Sequence, residues 1–74
     1  MATYHVEYRA AFGPPRFVVV QASSVLRAAE EAARRLEVEN GRFRVYRWFG
    51  SRSVVYDGEI EVVAGRAVRG GVRR

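Results

Sequence analysis

The chain has 74 residues, no cysteine, and 13 basic residues against eight acidic ones, which gives a formal net charge of +5. This length bounds the chain to one small domain, and the lack of cysteine excludes disulfides and cysteine-ligated zinc. No signal peptide is recognisable and no apolar run approaches the roughly 20 residues of a membrane-spanning helix, so we expect a soluble, cytoplasmic protein without a membrane partner.

Two strands open the chain. Residues 3–11 alternate, with Tyr4, Val6 and Tyr8 on one face and His5 on the other, which predicts a half-buried strand. Gly-Pro-Pro at 13–15 predicts a turn. The apolar, β-branched segment RFVVVQA at 16–22 then predicts a second strand, central in the sheet. We expect the two strands to form a hairpin.

A helix follows. Ser23 or Ser24 can cap its first turn, and the spacing of its glutamates and arginines predicts two stabilising i,i+4 pairs, from Glu30 to Arg34 and from Glu31 to Arg35. Its apolar stripe at helical spacing comprises Val25, Ala28, Ala29, Ala32 and Leu36.

After the helix the residues alternate again from Arg42 to Phe49. Asp57-Gly58 is a type I′ hairpin signal between two apolar segments; if Gly58 is instead a bulge, residues 53–63 form one bent strand. The prediction is therefore an α+β fold, ββαβββ or ββαββ, with one helix on one face of a small antiparallel sheet.

The charge is unevenly distributed. Residues 1–64 hold nine arginines and eight acids, a net of +1, and residues 65–74 hold four arginines and no acid. We therefore expect one α+β domain over residues 1–64 and a flexible basic tail of arginine and glycine over residues 65–74. All 13 basic residues are arginine, which fits a GC-rich genome, selection for bidentate anion contacts or a thermophilic source.

Few residues suit catalysis. His5 is the single histidine and lacks the further ligands that a metal site needs. Glu59 and Glu61 share a strand face, which is also the ordinary spacing of solvent-facing carboxylates. The sequence therefore predicts a binding protein that is not an enzyme and uses no cofactor or metal.

The segment GRFRVYRWFGSR at 41–52 interleaves arginines with aromatic residues. Such residues on an open sheet face are typical of proteins that bind single-stranded nucleic acid, because bases stack on the rings and guanidinium groups reach the phosphates. The leading hypothesis is association with nucleic acid, RNA above all. Its binding surface would be Arg42, Arg44, Tyr46, Trp48 and Arg52, and its basic arm Arg66, Arg69, Arg73 and Arg74.

Two alternatives stay open at this point. The aromatic face could be purely structural, with arginine stems covering the rings. It could also be a protein interface, since Trp, Tyr and Arg are enriched at interface centres. In that case a homodimer would form through the aromatic face or through an edge strand at 16–22 or 59–63.

The segment GSRSVVYDGEIEV at 50–62 resembles the Gly-Ser-Arg segment and following strand of the archaeal ribosomal protein LX family. The resemblance covers under a fifth of the chain and implies an RNA-associated role. It departs from the family in that a strand at 42–49 is expected between the helix and this segment. Ser53, Val54 and Asp57 also stand where the family has a histidine and basic residues.

Overall fold

The structure is a computed structural model that describes residues 1–48 and 51–70. It has the order ββαβββ, with five strands in one antiparallel sheet of order β2-β1-β3-β4-β5. The elements are β1 (Ala2–Arg9), β2 (Arg16–Ala22), α1 (Val25–Leu36), β3 (Asn40–Trp48), β4 (Arg52–Val63) and β5 (Arg66–Arg69). The α+β prediction with one helix on the sheet is confirmed. No helix of the described residues is long and apolar enough to span a membrane.

The hairpin and the helix follow the sequence pattern closely. β1 pairs with β2 as predicted, and the Ser24 side chain caps α1 by accepting from the backbone N–H of Arg27. Of the two predicted i,i+4 pairs, Glu31 to Arg35 forms, with a separation of 2.9 Å. Glu30 instead contacts β5, so its pairing with Arg34 is replaced by a contact that is distant in the sequence.

The core lies between α1 and one face of the sheet. Four alanines of α1 are buried, which lets the helix backbone approach the strands closely. The largest fully buried side chains come from β1 to β4: Phe43, Ile60, Val6, Val20 and Val45. Side chains alternate between the two faces along a strand. The residues next to these in the sequence therefore point to the opposite face of the sheet.

The last hairpin does not lie where Asp57-Gly58 predicted it. β4 runs through both residues as one strand from Arg52 to Val63, so residues 53–63 form a single strand, as in the alternative prediction, although Gly58 is not its bulge. The irregularity is at Val55 and not at Gly58, because Val45 pairs with Tyr56 whereas the next residue, Tyr46, pairs with Val54. Within this strand the Asp57 carboxylate accepts hydrogen bonds from Arg42 and Arg44 of β3.

The turn falls instead at Ala64 and Gly65, which both have positive φ, 52° and 77°. Two positive φ values in a two-residue loop are the geometry of a hairpin turn matched to strand twist. Residues 66–69, which were expected to belong to a flexible tail, therefore form β5 and pair with β4. Ala67 is buried, and Arg73 and Arg74 lie outside the described residues.

Candidate binding surface

The face of the sheet opposite α1, here called the open face, carries the predicted binding residues of β3. Phe43 and Val45 point into the core, which places Arg42, Arg44, Tyr46 and Trp48 on the open face by alternation. The β1–β3 register sets His5 opposite Tyr46 and Arg9 opposite Arg42. The structure therefore brings the predicted residues of β3 together and adds β1 to them.

One end of the open face consists of three aromatic rings and one arginine that lies against one of them. We call these residues the aromatic end: His5, Tyr46, Trp48 and Arg52. The His5 and Trp48 rings stack with centroids 6.0 Å apart and planes inclined by 20°. The Arg52 guanidinium lies 4.5 Å from the centre of the Tyr46 ring, a cation–π distance. This end is flanked by Val19 on β2 and Val54 on β4, which pair with His5 and Tyr46 respectively.

The other end is the charged cluster, which consists of Glu7, Arg9, Arg42, Arg44 and Asp57. The Nε atoms of Arg42 and Arg44 each donate to Asp57 over 3.1 Å. Glu7 accepts from Arg9 over 3.3 Å and lies 4.0 Å from Arg44. These contacts hold Arg42 and Arg44 against carboxylates, so a phosphate would have to compete with Asp57 for both.

Contacts with both ends of the open face affect the pKa of Arg44. Hydrogen bonding to the Tyr46 side chain, and then the charge of Asp57, raise the pKa of Arg44 above its ordinary value. The guanidinium of Arg44 is therefore charged at neutral pH, as that of an ordinary arginine is. Asp57 offsets part of this charge on the surface of the sheet.

Over β1 to β4 the open face is electrically balanced. β2 contributes only uncharged side chains to it, at 17, 19 and 21. The arginines are Arg9, Arg42, Arg44 and Arg52, and the acids are Glu7, Asp57, Glu59 and Glu61. Four charges of each sign give no electrostatic footprint of the kind that dedicated nucleic-acid domains carry. On β5 the register adds Arg66 beside Val63, and its guanidinium is paired with Glu30 of α1.

Besides Trp48, the open face exposes apolar side chains that were not predicted as binding residues. Nine large hydrophobic residues of the described chain are exposed, and alternation and register place six of them on this face. They are Phe17, Val19, Trp48, Val54, Val63 and Val68, with Phe17 at 64 % exposure and Trp48 and Val54 at 54 %. The prediction of a central strand from RFVVVQA is wrong, because β2 lies at the edge of the sheet and one of its faces is uncovered.

The predicted basic arm is divided between different surroundings. Arg66 donates to Glu30 of α1 over 3.3 Å, and the Arg69 guanidinium lies 5.4 Å from the centre of the Tyr56 ring. Both belong to the folded sheet and not to a flexible arm. Arg73 and Arg74 fall outside the described residues.

The two edge strands of the sheet are β2 and β5. Segment 59–63, which the sequence analysis considered as an edge, lies in β4 between two neighbours. Each real edge meets a side chain of α1: Arg35 donates to the carbonyl of Val19 over 3.1 Å, and Glu30 accepts from the N–H of Ala67 over 2.9 Å. A strand that added to either edge would have to displace these contacts.

The residues considered for catalysis lie on the open face, with His5 on β1 and Glu59 and Glu61 on β4. His5 stacks on Trp48, and no group of three or more His, Asp or Glu side chains in the described chain could hold a metal ion. A groove of about 400 Å³ lies beside α1. Four of its lining side chains form ion pairs: Arg27 with Glu30, and Arg34 with Glu31.

Comparison with known proteins gives no match to any protein-family model, curated protein or solved structure.

Proposed function

We propose that this protein is a non-catalytic interaction domain that self-associates by packing the open face of its sheet against the open face of a second copy. The observation that carries the proposal is the concentration of six exposed large hydrophobic side chains on this one face. Exposed apolar side chains of this kind on a small domain are typical of protein interaction sites. Val19 and Val54 flank the aromatic end, whereas Val63 and Val68 lie at the far end of the sheet, beside Glu61.

The size of the open face suits such a contact. Five strands about 4.8 Å apart, with about eight residues at roughly 3.3 Å each, give a flat area of roughly 600 Å² before side-chain relief is counted. A standard interface buries about 800 Å² per partner. A domain of 74 residues also has a small core, so dimer formation would add to its stability.

The charges on the open face favour association with a second copy of the protein over binding of a polyanion such as RNA. Because the open face carries four positive and four negative side chains over β1 to β4, it does not repel a copy of itself. In a two-fold symmetric pair, contacts are reciprocal: if residue i of one copy meets residue j of the other, then j also meets i. Arginines of one copy can therefore meet carboxylates of the other, and each such pair forms twice. The packing of Glu30 and Arg35 over the two edges favours the face over an edge as the contact.

The test is sedimentation velocity at about 50 µM protein, since interfaces of this size have Kd values from micromolar downward. We expect a dimer for the wild type and a monomer for Val54→Lys, which places an unpaired charge in the apolar contact twice per dimer. The expected weakening is roughly 100-fold or more, because burying an uncompensated charge costs several kcal/mol.

Phe12→Lys is the matched control. Phe12 is 92 % exposed and lies between β1 and β2, so the substitution adds the same charge away from the strands of the open face and should leave the dimer intact. Circular dichroism verifies that both variants are folded. A wild type that sediments as a monomer, or a Phe12→Lys variant that dissociates as Val54→Lys does, contradicts the proposal.

A second candidate function is binding of single-stranded nucleic acid, RNA above all, at the aromatic end. Arg52 makes no ion pair within the described chain, and it lies beside Tyr46 and the half-exposed ring of Trp48. Base stacking on aromatic rings contributes about 1–3 kcal/mol per base. Of the predicted surface, this leaves Tyr46, Trp48 and Arg52 as the residues best placed for contact, with Arg42 and Arg44 engaged by Asp57.

Quenching of Trp48 fluorescence by a single-stranded RNA tests this candidate at low and moderate salt. The chain should be compared with a version ending at Gly70, because a cut after Ala64 would remove β5 from the sheet. Quenching that survives the cut and moderate salt supports stacking at the aromatic end. An unchanged Trp48 signal with salt-sensitive binding assigns any association to the tail charge.

A further inference from the structure

β2 has the properties of a strand that can pair on both sides. It is seven residues long, it lies at the edge of the sheet, and its segment FVVV has high β-propensity. Edge strands of this kind are templates for pairing with another chain unless the protein covers or charges them. The only charged residue of β2 is Arg16, at its start.

One contact covers this edge at its centre. The Nη1 of Arg35 donates to the carbonyl of Val19, the fourth of the seven residues of β2. Arg35 is itself held by Glu31, whose carboxylate accepts from its Nε over 2.9 Å. The guanidinium therefore occupies a backbone acceptor that an added strand would use, and Glu31 keeps it in place.

The opposite edge is covered from the same helix. Glu30 accepts from the N–H of Ala67 in β5, and it precedes Arg35 by five residues, which at about 100° per residue places the two side chains on opposite flanks of α1. The Arg35 guanidinium thus covers the Val19 carbonyl on β2, and the Glu30 carboxylate covers the Ala67 N–H on β5. β5 has only four residues, so β2 is the edge with the capacity to pair.

We propose that the β2 edge is a latent pairing site for β2 of a second copy, held closed by Arg35. The two strands pair antiparallel about Val19, which continues the sheet across both molecules. In that register Arg16 lies opposite Ala22 and Phe17 opposite Gln21, so no like charges meet and apolar side chains share one face. This contact is independent of the face-to-face association proposed above.

The test uses Arg35→Met, which keeps the aliphatic stem and removes the donor, against Arg34→Met. Arg34 also pairs with Glu31, yet it makes no hydrogen bond to β2 in the described chain. Both are placed in the Val54→Lys background, which removes association through the open face. Sedimentation should show at least a tenfold gain in self-association for Arg35→Met and none for Arg34→Met. Arg35→Lys, which retains a donor, should restore the closed state.

Val19→Cys, added to each variant, tests the register. The chain contains no cysteine, so any disulfide between copies must join the two introduced residues. Rapid cross-linking with Arg35→Met but not with Arg34→Met is the expected result. Equal self-association of the two variants, or association without cross-linking, overturns the proposal. A monomeric wild type would contradict the face-to-face dimer and leave this result unaffected.

Discussion

The two faces of this sheet are made by the same strands and have opposite characters. On the covered face, Phe43 and Val45 of β3 are fully buried against the alanines of α1. On the open face, Arg44 and Tyr46 of the same strand contact charged and aromatic neighbours. The covered face is fixed by packing, whereas the open face is fixed mainly by pairwise polar and ring contacts. We therefore expect substitutions on the first to change stability and on the second to change association.

The largest contrast should be between Phe43→Ala and Trp48→Ala, measured by urea unfolding in the monomeric Val54→Lys background. Phe43 is fully buried, so its truncation should cost about 3–5 kcal/mol, enough to unfold much of so small a domain. Trp48 is 54 % exposed, and its truncation should cost less than about 1 kcal/mol. Losses of similar size would mean that the open face contributes to the core.

The next largest loss of stability is expected at Gly41, where the backbone lies against the Tyr8 ring on the covered face. A Cβ at Gly41 would lie 2.5 Å from Cε1 of Tyr8, and Gly41 has a φ of +150°, so Gly41→Ala should cost about 1–3 kcal/mol. The Tyr8 hydroxyl donates to the Asn40 carbonyl over 2.8 Å, which keeps the ring from moving away.

Gly70→Ala is the control for this effect. Its Cβ would approach no closer than 3.5 Å to Glu59, an ordinary contact, so urea unfolding should give nearly the wild-type stability. If the two glycine variants were equally destabilised, the Tyr8 ring would not be the cause.

Asp57→Asn should alter the open face with little effect on folding. The pairs with Arg42 and Arg44 are largely exposed, so their loss should cost about 1 kcal/mol or less. With the carboxylate gone, the face gains net positive charge and both guanidinium groups become available. Binding of a labelled single-stranded oligonucleotide at low salt, followed by fluorescence anisotropy, should tighten by roughly tenfold.

Glu37→Gln removes the same charge at the C-terminal cap of α1, away from the open face. If it tightened oligonucleotide binding as much as Asp57→Asn does, total charge would matter and the position of the charge would not.

The smallest effect should come from the outer surface of α1. Hydrogen bonds from Arg34 and then Arg35 lower the pKa of Glu31, so the folded chain binds a proton here less readily than the unfolded chain. The resulting stability is present above the ordinary carboxyl pKa and is lost as pH falls through the lowered one. Thermal unfolding of Glu31→Gln should therefore depend less on pH below about pH 5 than that of the wild type.

The sequence predicted those elements whose signals are local. The alternation of β1, the stripe of α1 and the Ser24 cap all act within a few residues, and the structure contains them. The side chains that β3 presents on the open face could also be predicted. Strand side chains alternate between the two faces of a sheet, and the helix covers only one face.

The misplaced features depend on contacts between distant residues. Asp57-Gly58 resembles a turn in isolation, but Asp57 lies inside a strand, where its carboxylate accepts hydrogen bonds from Arg42 and Arg44. Ala64 carries no strong signal for positive φ, yet it forms the turn. β5 is short of apolar side chains, and the side chain that binds its backbone is Glu30, which lies 37 residues from Ala67.

The unpaired residue Val55 marks a position at which the chain could be one residue shorter. Because Val45 pairs with Tyr56 while Tyr46 pairs with Val54, Val55 is an extra residue in β4 with no counterpart in β3. Deleting it would give a regular ladder in which both of its neighbours keep their partners, whereas deleting Val54 or Tyr56 would remove a paired residue. At this point the strand can absorb the loss of a residue, and homologous chains that differ in length by one are expected to differ here.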